Sequence, residues 1–257
     1  MTSLAFLLLF LMLIVPIVVS ACLPDPRGGV PWHQARRDPS GIAPDPATTE
    51  EAVIQVYAAQ TVSWRGVFSV HSWIAVKPSG AARYTRYEVV GFGVANGAPA
   101  IRIDRMGPDN YWFGARPELL LDRRGAGIDA LIEKIRAAVA SYPYPHAYRA
   151  WPGPNSNTFT AHVARQVPEL GLGLPANAIG KDFLPGGALV ARAPSGTGFQ
   201  LSVYGLAGIL VSLKEGIEIN VLGLSTGIDA VAPALKLPAI GRLGFRPRIA
   251  ETSATMP

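Results

Sequence analysis

The feature that most constrains this sequence is an almost unbroken apolar run from Leu4 to Ala21, interrupted only by Pro16 and Ser20. A run of this length lies at the lower edge of what crosses a bilayer as a helix. So apolar a segment does not suit the water-exposed surface of a soluble domain. It therefore predicts an export or anchor element over residues 1–22, with a buried helix as the alternative.

The residues around the run leave two membrane interpretations open. The stretch from Val19 to Cys22 resembles a bacterial lipobox, which implies cleavage before Cys22 and lipidation of its thiol. Met1–Ser3 contain no Lys or Arg, whereas three arginines follow the run by position 37. For an uncleaved signal anchor, which is the alternative to the lipoprotein, the positive-inside rule would place the C-terminal body in the cytoplasm. We expect a membrane-anchored protein of the cell envelope with a periplasmic or extracellular body.

Composition and charge narrow the possible partners. Only 16% of the 257 residues are charged, against about 25% in ordinary soluble domains, so part of the surface is expected to meet something other than water. The net charge of +5 favours anionic surfaces such as phospholipid head groups. Lys and Arg are not clustered among aromatics, so no nucleic acid is expected. A single cysteine excludes an internal disulfide and a Cys-based zinc site, and no cofactor is predicted.

Four segments follow the membrane element. Residues 23–50 are proline-rich and predict an extended tether. Residues 51–170 predict an α+β core, with β-branched and aromatic strands followed by helices over Gly127–Ser141 and from Asn155 to Pro168. Residues 171–245 predict a Gly-rich β extension with three apolar runs, GFQLSVYG, GILVSL and IEINVLGLSTG, and Lys181-Asp182 as a solvated turn. Residues 246–257 are expected to be disordered.

A histidine on a strand and a serine at a helix start are the candidates for chemistry. The sequence contains no zinc-protease helix, Walker loop, dinucleotide fingerprint or nucleophile elbow. His71 lies in an otherwise apolar strand, and Ser156 stands between Asn155 and Asn157 where the second helix opens. Each also has a structural explanation, because Asn155 or Ser156 can cap the helix and His71 can be a hydrogen-bonded core residue.

Six segments between Val53 and Gly244 carry a family resemblance. They are WRGVFSVHSWIAVKPSGAARYTRYEVVGFG, DNYWFGARPELLLDRRG, YRAWPGPNSNTF, IGKDFLPGG, ARAPSGTGFQLS and ALKLPAIGRLG. These segments resemble an uncharacterised bacterial family, domain of unknown function 3750. The resemblance implies no activity.

A more distant resemblance concerns the order of two motifs. The strand with His71 comes first, and Asn155-Ser156-Asn157-Thr158-Phe159 follows at a helix start. This order is similar to that of lecithin-retinol acyltransferase and NlpC/P60 relatives, in which a strand histidine precedes a helix motif like Asn-Cys-x-x-Phe. The resemblance implies a circularly permuted papain-like fold, an antiparallel sheet packed on helices, with Ser156 in the place of the nucleophilic cysteine.

The papain-like resemblance also implies roles for five neighbouring residues: Glu88 or Tyr87 as the group that orients the histidine, and Asn155, Asn157 and Trp73 as oxyanion or groove residues. Cross-strand packing is the structural alternative for the two strand residues. Because a hydroxyl cannot be held as a ready anion in the way a thiol can, Ser156 would need His71 as a general base.

Three functions are consistent with this sequence. The first is an envelope hydrolase or acyl transferase that acts on an amide or ester of cell wall or lipid. The second is a catalytically inactive papain-like module that binds a peptide, glycan or lipid at the membrane. The third is a scaffold whose apolar C-terminal half packs on a membrane or a partner.

Overall fold

The computed structural model describes residues 2–25 and 29–245, which form an α+β protein with two antiparallel sheets. The described α-helices are α1 (Thr2–Cys22), α2 (Ile128–Ala140) and α3 (Ser156–Gln166). The first sheet contains β1 (Val53–Gln60), β2 (Val70–Lys77), β3 (Thr85–Val89), β4 (Ile101–Ile103) and β5 (Glu118–Arg124). The second sheet contains β6 (Val190–Arg192), β7 (Gly198–Val203), β8 (Ala207–Ser212), β9 (Gly216–Val221), β10 (Leu224–Asp229), β11 (Ala234–Leu237) and β12 (Gly241–Gly244). The disorder expected over residues 246–257 lies outside the described residues.

The first sheet has the strand order β4-β3-β2-β1-β5 and separates two hydrophobic cores. Every residue of β2 is buried, because alternate side chains enter opposite cores. Ile74 and Val76 face the core that contains α2 and α3. Trp73 and Ala75 face the other core. His71 shares the face of Trp73, and Ser72 shares the face of the helices.

The two helices that pack on the first sheet form where the sequence predicts them. Ile128, Ile132, Ile135 and Val139 recur at helical spacing along α2 and are buried in the core. Helix α3 ends just before Pro168, and its residues from 156 to 164 are all buried. Helix α3 is thus an interior helix, which places its first turn inside the protein.

Residues 31–50 do not form the extended tether that their prolines predicted. Ala35 is buried, and Pro39 forms an isolated β-bridge with Asn110. The Asp109 carboxylate accepts a hydrogen bond of 2.6 Å from the main-chain N–H of Ile42. This segment therefore helps to cover the face of the first sheet that carries Trp73 and His71. Proline content indicated an irregular conformation but not the contacts of that conformation.

The second sheet joins its seven strands in sequence order, from β6 to β12. Its β7 and β8 correspond to two of the expected apolar runs. The third run, IEINVLGLSTG, forms both β9 and β10, joined at Leu222-Gly223. Both of these residues have positive φ, 53° and 83°, which is the conformation required by a tight type I′ hairpin turn.

One helix in the described part of the chain, α1, is long and apolar enough to cross a membrane by its length and composition. It contacts β10, β11 and a short 3-10 turn at Ser63–Val67. The Ser20 hydroxyl donates a 3.0 Å hydrogen bond to the Val67 carbonyl. The residues of α1 that are shielded from solvent are Leu9, Met12, Leu13, Pro16, Ile17 and Ser20. They recur every three to four positions and form one face.

Candidate functional site

His71 is held by aromatic stacking and by a carboxylate. It is the second residue of β2 and is buried, with its ring centroid 3.8 Å from that of Trp112 and an interplanar angle of 13°. Its Nε2 lies 3.0 Å from the Glu88 carboxylate. Strand β3 brings Glu88 to this face because it pairs with β2 in a register that places Ile74 opposite Tyr87. Tyr87 consequently points into the helical core, and Glu88, not Tyr87, contacts the histidine.

Arg86 completes a buried chain of polar groups with Glu88 and His71. Its guanidinium donates a 2.7 Å hydrogen bond to the Glu88 carboxylate. The same guanidinium lies 4.1 Å from the Trp73 ring, a cation–π arrangement. Arg86 is 1% exposed, so this contact is fully desolvated. The pattern Arg-x-Glu on one strand was the available sequence signal for this residue, because residues two apart share a face.

The charge states of the two acid–base groups follow from these contacts. Burial lowers the pKa of His71, and the hydrogen bond with Glu88 opposes that shift without cancelling it. Burial would raise the pKa of Glu88, but the hydrogen bond with His71 and the charge of Arg86 hold it below its usual value. At neutral pH, Glu88 is therefore a carboxylate and His71 is a neutral imidazole.

Asn155, not Ser156, caps helix α3. Its side-chain oxygen accepts hydrogen bonds from the main-chain N–H groups of Asn157 (2.9 Å) and Thr158 (3.1 Å). The main-chain N–H of Asn155 in turn donates a hydrogen bond of 3.1 Å to the Thr158 hydroxyl, which completes a capping box. A Cβ at Gly180 would lie 2.3 Å from the Asn155 amide, so a larger residue there would displace the cap. Ser156 is the first helical residue, and no hydrogen bond of its hydroxyl is found among the described residues.

Ser72 and Asn157 fix the start of α3 relative to the strand that carries His71. The Ser72 hydroxyl lies 2.8 Å from Asn157 Oδ1 and 2.9 Å from the Thr160 hydroxyl. Asn157 Nδ2 donates to the main-chain carbonyls of Val70 and Ile179, each at 2.9 Å. These buried contacts connect the residue after His71 to the residue after Ser156.

The side-chain amides of Asn155 and Asn157 are both committed to structure. Asn155 Nδ2 donates to the carbonyls of Ala150 and Ile179, each at 3.0 Å. Since Asn157 Nδ2 is likewise used, neither amide is free to stabilise an oxyanion, contrary to the expected role. The main-chain N–H of Ser156, at the positive end of α3, is the remaining donor at this position.

His71 and Ser156 line the same cavity, which has a volume of about 650 Å³. Asn155 and Asn157 also reach it. Most of its wall is aromatic or aliphatic: Val62, Trp64, Phe68, Val70, Val90, Phe92, Trp112, Tyr148, Trp151, Ile179, Leu222 and Leu224. Three aromatic residues, Trp64, Phe92 and Trp151, are more than half exposed. No hydrogen bond joins His71 to Ser156 among the described residues.

Several residues singled out in the sequence lie elsewhere. Trp73 is 0% exposed and belongs to the core behind His71, so it is not a groove residue. Its indole N–H donates to the Pro108 carbonyl at 2.7 Å. His162 contacts α2 through the Ala138 carbonyl and lies outside the cavity lining. The solvated turn expected at Lys181-Asp182 is wrong, because both residues are at most 4% exposed.

Lys181 and Asp182 belong to a buried charged cluster beneath the second sheet. Glu218 on β9 bridges Lys181 and Lys236, with both N–O distances at 2.6 Å. Asp182 accepts hydrogen bonds from Lys181, Gln200, Asn220 and Ser225. Burial would lower the pKa of Lys181, but the Asp182 and Glu218 carboxylates raise it above its usual value. Alternation of polar residues along β7, β9 and β10 was the available sequence signal, but alternation does not state which face of a sheet is buried.

Comparison with known proteins gives one match. The model of a family described as a protein of unknown function, DUF3750, matches residues 51–183, just over half of the chain. The matched residues include the whole first sheet and the residues from His71 to Ser156 that line the cavity. No curated protein and no solved structure matches this chain.

Proposed function

This chain belongs to the DUF3750 family, whose description assigns no activity. From the geometry of its cavity we propose that it is a serine-dependent acyl hydrolase or acyl transferase. The observation that carries this proposal is that Ser156 and a histidine held by Glu88 line one largely apolar cavity. The helix cap does not account for Ser156, because Asn155 performs that role.

The charge states support His71 as a general base. Glu88 engages Nε2, which leaves Nδ1 as the nitrogen for proton transfer. The neutral imidazole would accept the hydroxyl proton of Ser156 as its oxygen attacks the carbonyl carbon of the substrate. The carbonyl oxygen then carries the negative charge, and the N–H of Ser156 at the helix start would stabilise it.

The remaining steps are release of the leaving group and removal of the acyl group from Ser156. The imidazolium returns its proton to the leaving oxygen or nitrogen as that bond breaks, which gives an acylated Ser156 and the free alcohol or amine. A water molecule or an acceptor alcohol or amine then attacks the ester, and His71 takes up its proton. The imidazolium returns that proton to the Ser156 oxygen as the acyl–oxygen bond breaks, which releases the acyl product and restores the serine hydroxyl. The carboxylate of Glu88 stabilises the imidazolium in both steps.

The cavity wall favours a substrate with an apolar group. Aromatic and aliphatic side chains dominate the lining, and the indole rings of Trp64 and Trp151 are exposed. Such a wall stabilises an acyl chain or aromatic group by burial of its surface. An ester or amide of a lipid fits this wall better than a strongly polar peptide or glycan.

The order of elements supports a permuted papain-like arrangement within this proposal. A strand histidine comes first, its acidic partner lies on the next strand, and the candidate nucleophile opens a buried helix. The substitution of serine for cysteine at that helix start defines the expected difference in chemistry. A thiolate is replaced by a hydroxyl that becomes nucleophilic only while His71 removes its proton.

A second candidate function is a catalytically inactive module that binds a lipid or another apolar ligand in the same cavity. The observation that favours it is that no hydrogen bond joins Ser156 to His71 in the described part of the chain. Binding requires only the apolar cavity, whereas catalysis requires these two groups to meet in the substrate complex.

Replacement of Ser156 by cysteine distinguishes the two functions. In a catalytic site the new thiol would lie at the start of α3 beside His71, so its pKa should fall well below the usual value of about 8.5. We expect rapid alkylation by iodoacetamide near neutral pH, and a slower rate when His71→Ala is added. Ala82→Cys, in the exposed loop between β2 and β3, is the matched control thiol. Peptide mapping by mass spectrometry separates each site from Cys22.

The result that would refute catalysis is equally specific. If the Ser156→Cys thiol reacts no faster than the Ala82→Cys thiol, or if its rate is unchanged by His71→Ala, the two residues do not form a catalytic pair. The binding function would then be retained. Labelling of the unmodified chain by a fluorophosphonate probe, lost in Ser156→Ala, is the independent test of a nucleophilic serine.

We further propose that the chain is anchored in the envelope membrane by α1. One face of α1 packs on the body, and Ser20 bonds to Val67, contacts that a removed signal peptide could not keep. These contacts favour a retained anchor over cleavage before Cys22. Mass spectrometry of the purified N-terminus distinguishes an intact Met1 from a lipidated Cys22.

A further inference from the structure

The second sheet directs polar side chains inward and apolar side chains outward, the opposite of a sheet with one face in water. Its inner face carries the buried side chains of Gln200, Ser202, Glu218, Asn220 and Lys236. Its outer face is apolar and exposed. An antiparallel sheet with one solvated face normally directs its apolar side chains inward and its polar side chains to water.

The outer face is continuous because the strands align their apolar residues in register. One row crosses six strands, from Phe199 through Val211, Ile217, Ile228 and Leu235 to Leu243. A second row contains Val190, Leu201, Ile209 and Ile219. All ten side chains are between 41% and 69% exposed. With strands about 4.8 Å apart and about 6.6 Å between successive side chains on one face of a strand, the ten side chains cover a footprint of roughly 300 Å².

The exposed charged side chains of the second-sheet segment are all basic. Among residues 188–245 the acidic residues are Glu215, Glu218 and Asp229, and each is at most 3% exposed. The exposed charged residues of the same segment are Arg192 and Lys214. A rim of this kind attracts anionic head groups and repels an identical rim on a second copy.

Helix α1 connects the outer face to a membrane. It contacts β10 and β11, and its shielded residues extend from Leu9 to Ser20. At 1.5 Å per residue this contact runs about 17 Å along the helix axis. If α1 crosses a bilayer, the surface beside it along that length lies at the depth of the acyl chains. The apolar sheet is the part of the body suited to that depth.

We propose that the outer face of the second sheet lies against the lipid bilayer, in the leaflet next to the body. Polar side chains face the protein interior, apolar rows face the acyl chains, and the basic rim meets the head groups. This proposal does not depend on catalysis at Ser156.

Site-specific fluorescence in vesicles tests the proposal on the full chain. Val211→Cys and Ile219→Cys place an environment-sensitive dye in each row. Ala82→Cys, in the exposed loop between β2 and β3, is the matched control that carries the same α1. The unsubstituted chain corrects for labelling of Cys22. The vesicles contain phosphatidylcholine and phosphatidylglycerol, with or without bromine on the acyl chains.

We expect the dyes at Val211 and Ile219 to show blue-shifted emission, quenching by brominated chains and protection from aqueous iodide. The dye at Ala82 should show the opposite pattern. Equal iodide quenching at all three positions would overturn the proposal. A blue-shifted emission that brominated acyl chains do not quench, and that disappears when the protein is diluted in lipid, would identify a second copy as the occupant. That result would also overturn the proposal. Agreement between the two rows guards against misfolding of one variant.

Discussion

Neutralising Glu218 should destabilise the second sheet, because it leaves a buried ammonium without its carboxylate. Glu218 is 2% exposed and accepts from both Lys181 and Lys236. In Glu218→Gln, Lys181 retains Asp182 at 3.1 Å, whereas Lys236 loses the carboxylate that its ammonium contacts. Leaving a buried charge without its partner costs about 3–5 kcal/mol. We expect a loss of that size in the free energy of unfolding.

The matched variant is Lys236→Met, which removes the same ion pair from its other end. Glu218 then retains Lys181 at 2.6 Å, so no buried charge is left alone. The expected loss is about 1.5–3 kcal/mol, the value of a hydrogen bond to a charged group. The double variant Glu218→Gln/Lys236→Met should be more stable than Glu218→Gln alone, because the isolated ammonium is gone. This rescue is a feature that simple loss of packing would not produce.

Urea titration of the full chain in mild detergent, monitored by circular dichroism, measures these free energies, provided that the slope of the transition stays constant. A loss below about 1 kcal/mol in Glu218→Gln, or a double variant that loses the sum of the two single losses, would contradict an unpartnered Lys236 ammonium. Either result would show that water or another group solvates Lys236.

Four further outcomes are expected. Asn155→Ala should cost about 1–2 kcal/mol in urea titration because it removes the helix cap, whereas Ser156→Ala should change stability by no more than about 0.5 kcal/mol. Trp73→Ala should cost about 3–5 kcal/mol in the same assay, because the ring is fully enclosed; a loss below about 1 kcal/mol would place the ring in an exposed wall. Burial lowers the pKa of His71, so phosphonate labelling should decline with falling pH only below about 6.5, the ordinary pKa of histidine. The free energy of unfolding should also decline below that pH, because the histidine of the unfolded chain is protonated first. Mass spectrometry of the N-terminus should find α1 retained, and a chain that begins at lipidated Cys22 would contradict the anchor.

The helices and the first sheet were predictable because each has a clear period in the sequence. The apolar stripe of α2 and the Asn-Ser-Asn-Thr start of α3 identify both helices, and β-branched runs identify β1 and β2. The assignment of the cap was less certain, since Asn155 and Ser156 are both good cap residues. Only the hydrogen bonds from Asn157 and Thr158 decide in favour of Asn155.

The polarity of the second sheet could not be predicted from alternation alone. A strand such as β9, with the burial of Ile217, Glu218 and Ile219 alternating, is typical of a sheet with its apolar side in the core. An alternation of apolar and polar residues shows that the two faces of a strand differ, but it does not show which face is buried. The inside is decided by tertiary partners far along the chain, because Lys181, 37 residues before Glu218, needs a buried carboxylate.

The cavity and the outer face of the second sheet meet at the turn between β9 and β10. Leu222 and Leu224 line the cavity that contains His71 and Ser156, and Trp151 donates its indole N–H to the Leu222 carbonyl at 2.8 Å. If the outer face lies in the acyl layer, this turn brings the cavity close to the head groups. A lipid ester or amide could then enter the cavity without crossing water, and the apolar wall would require no other delivery route.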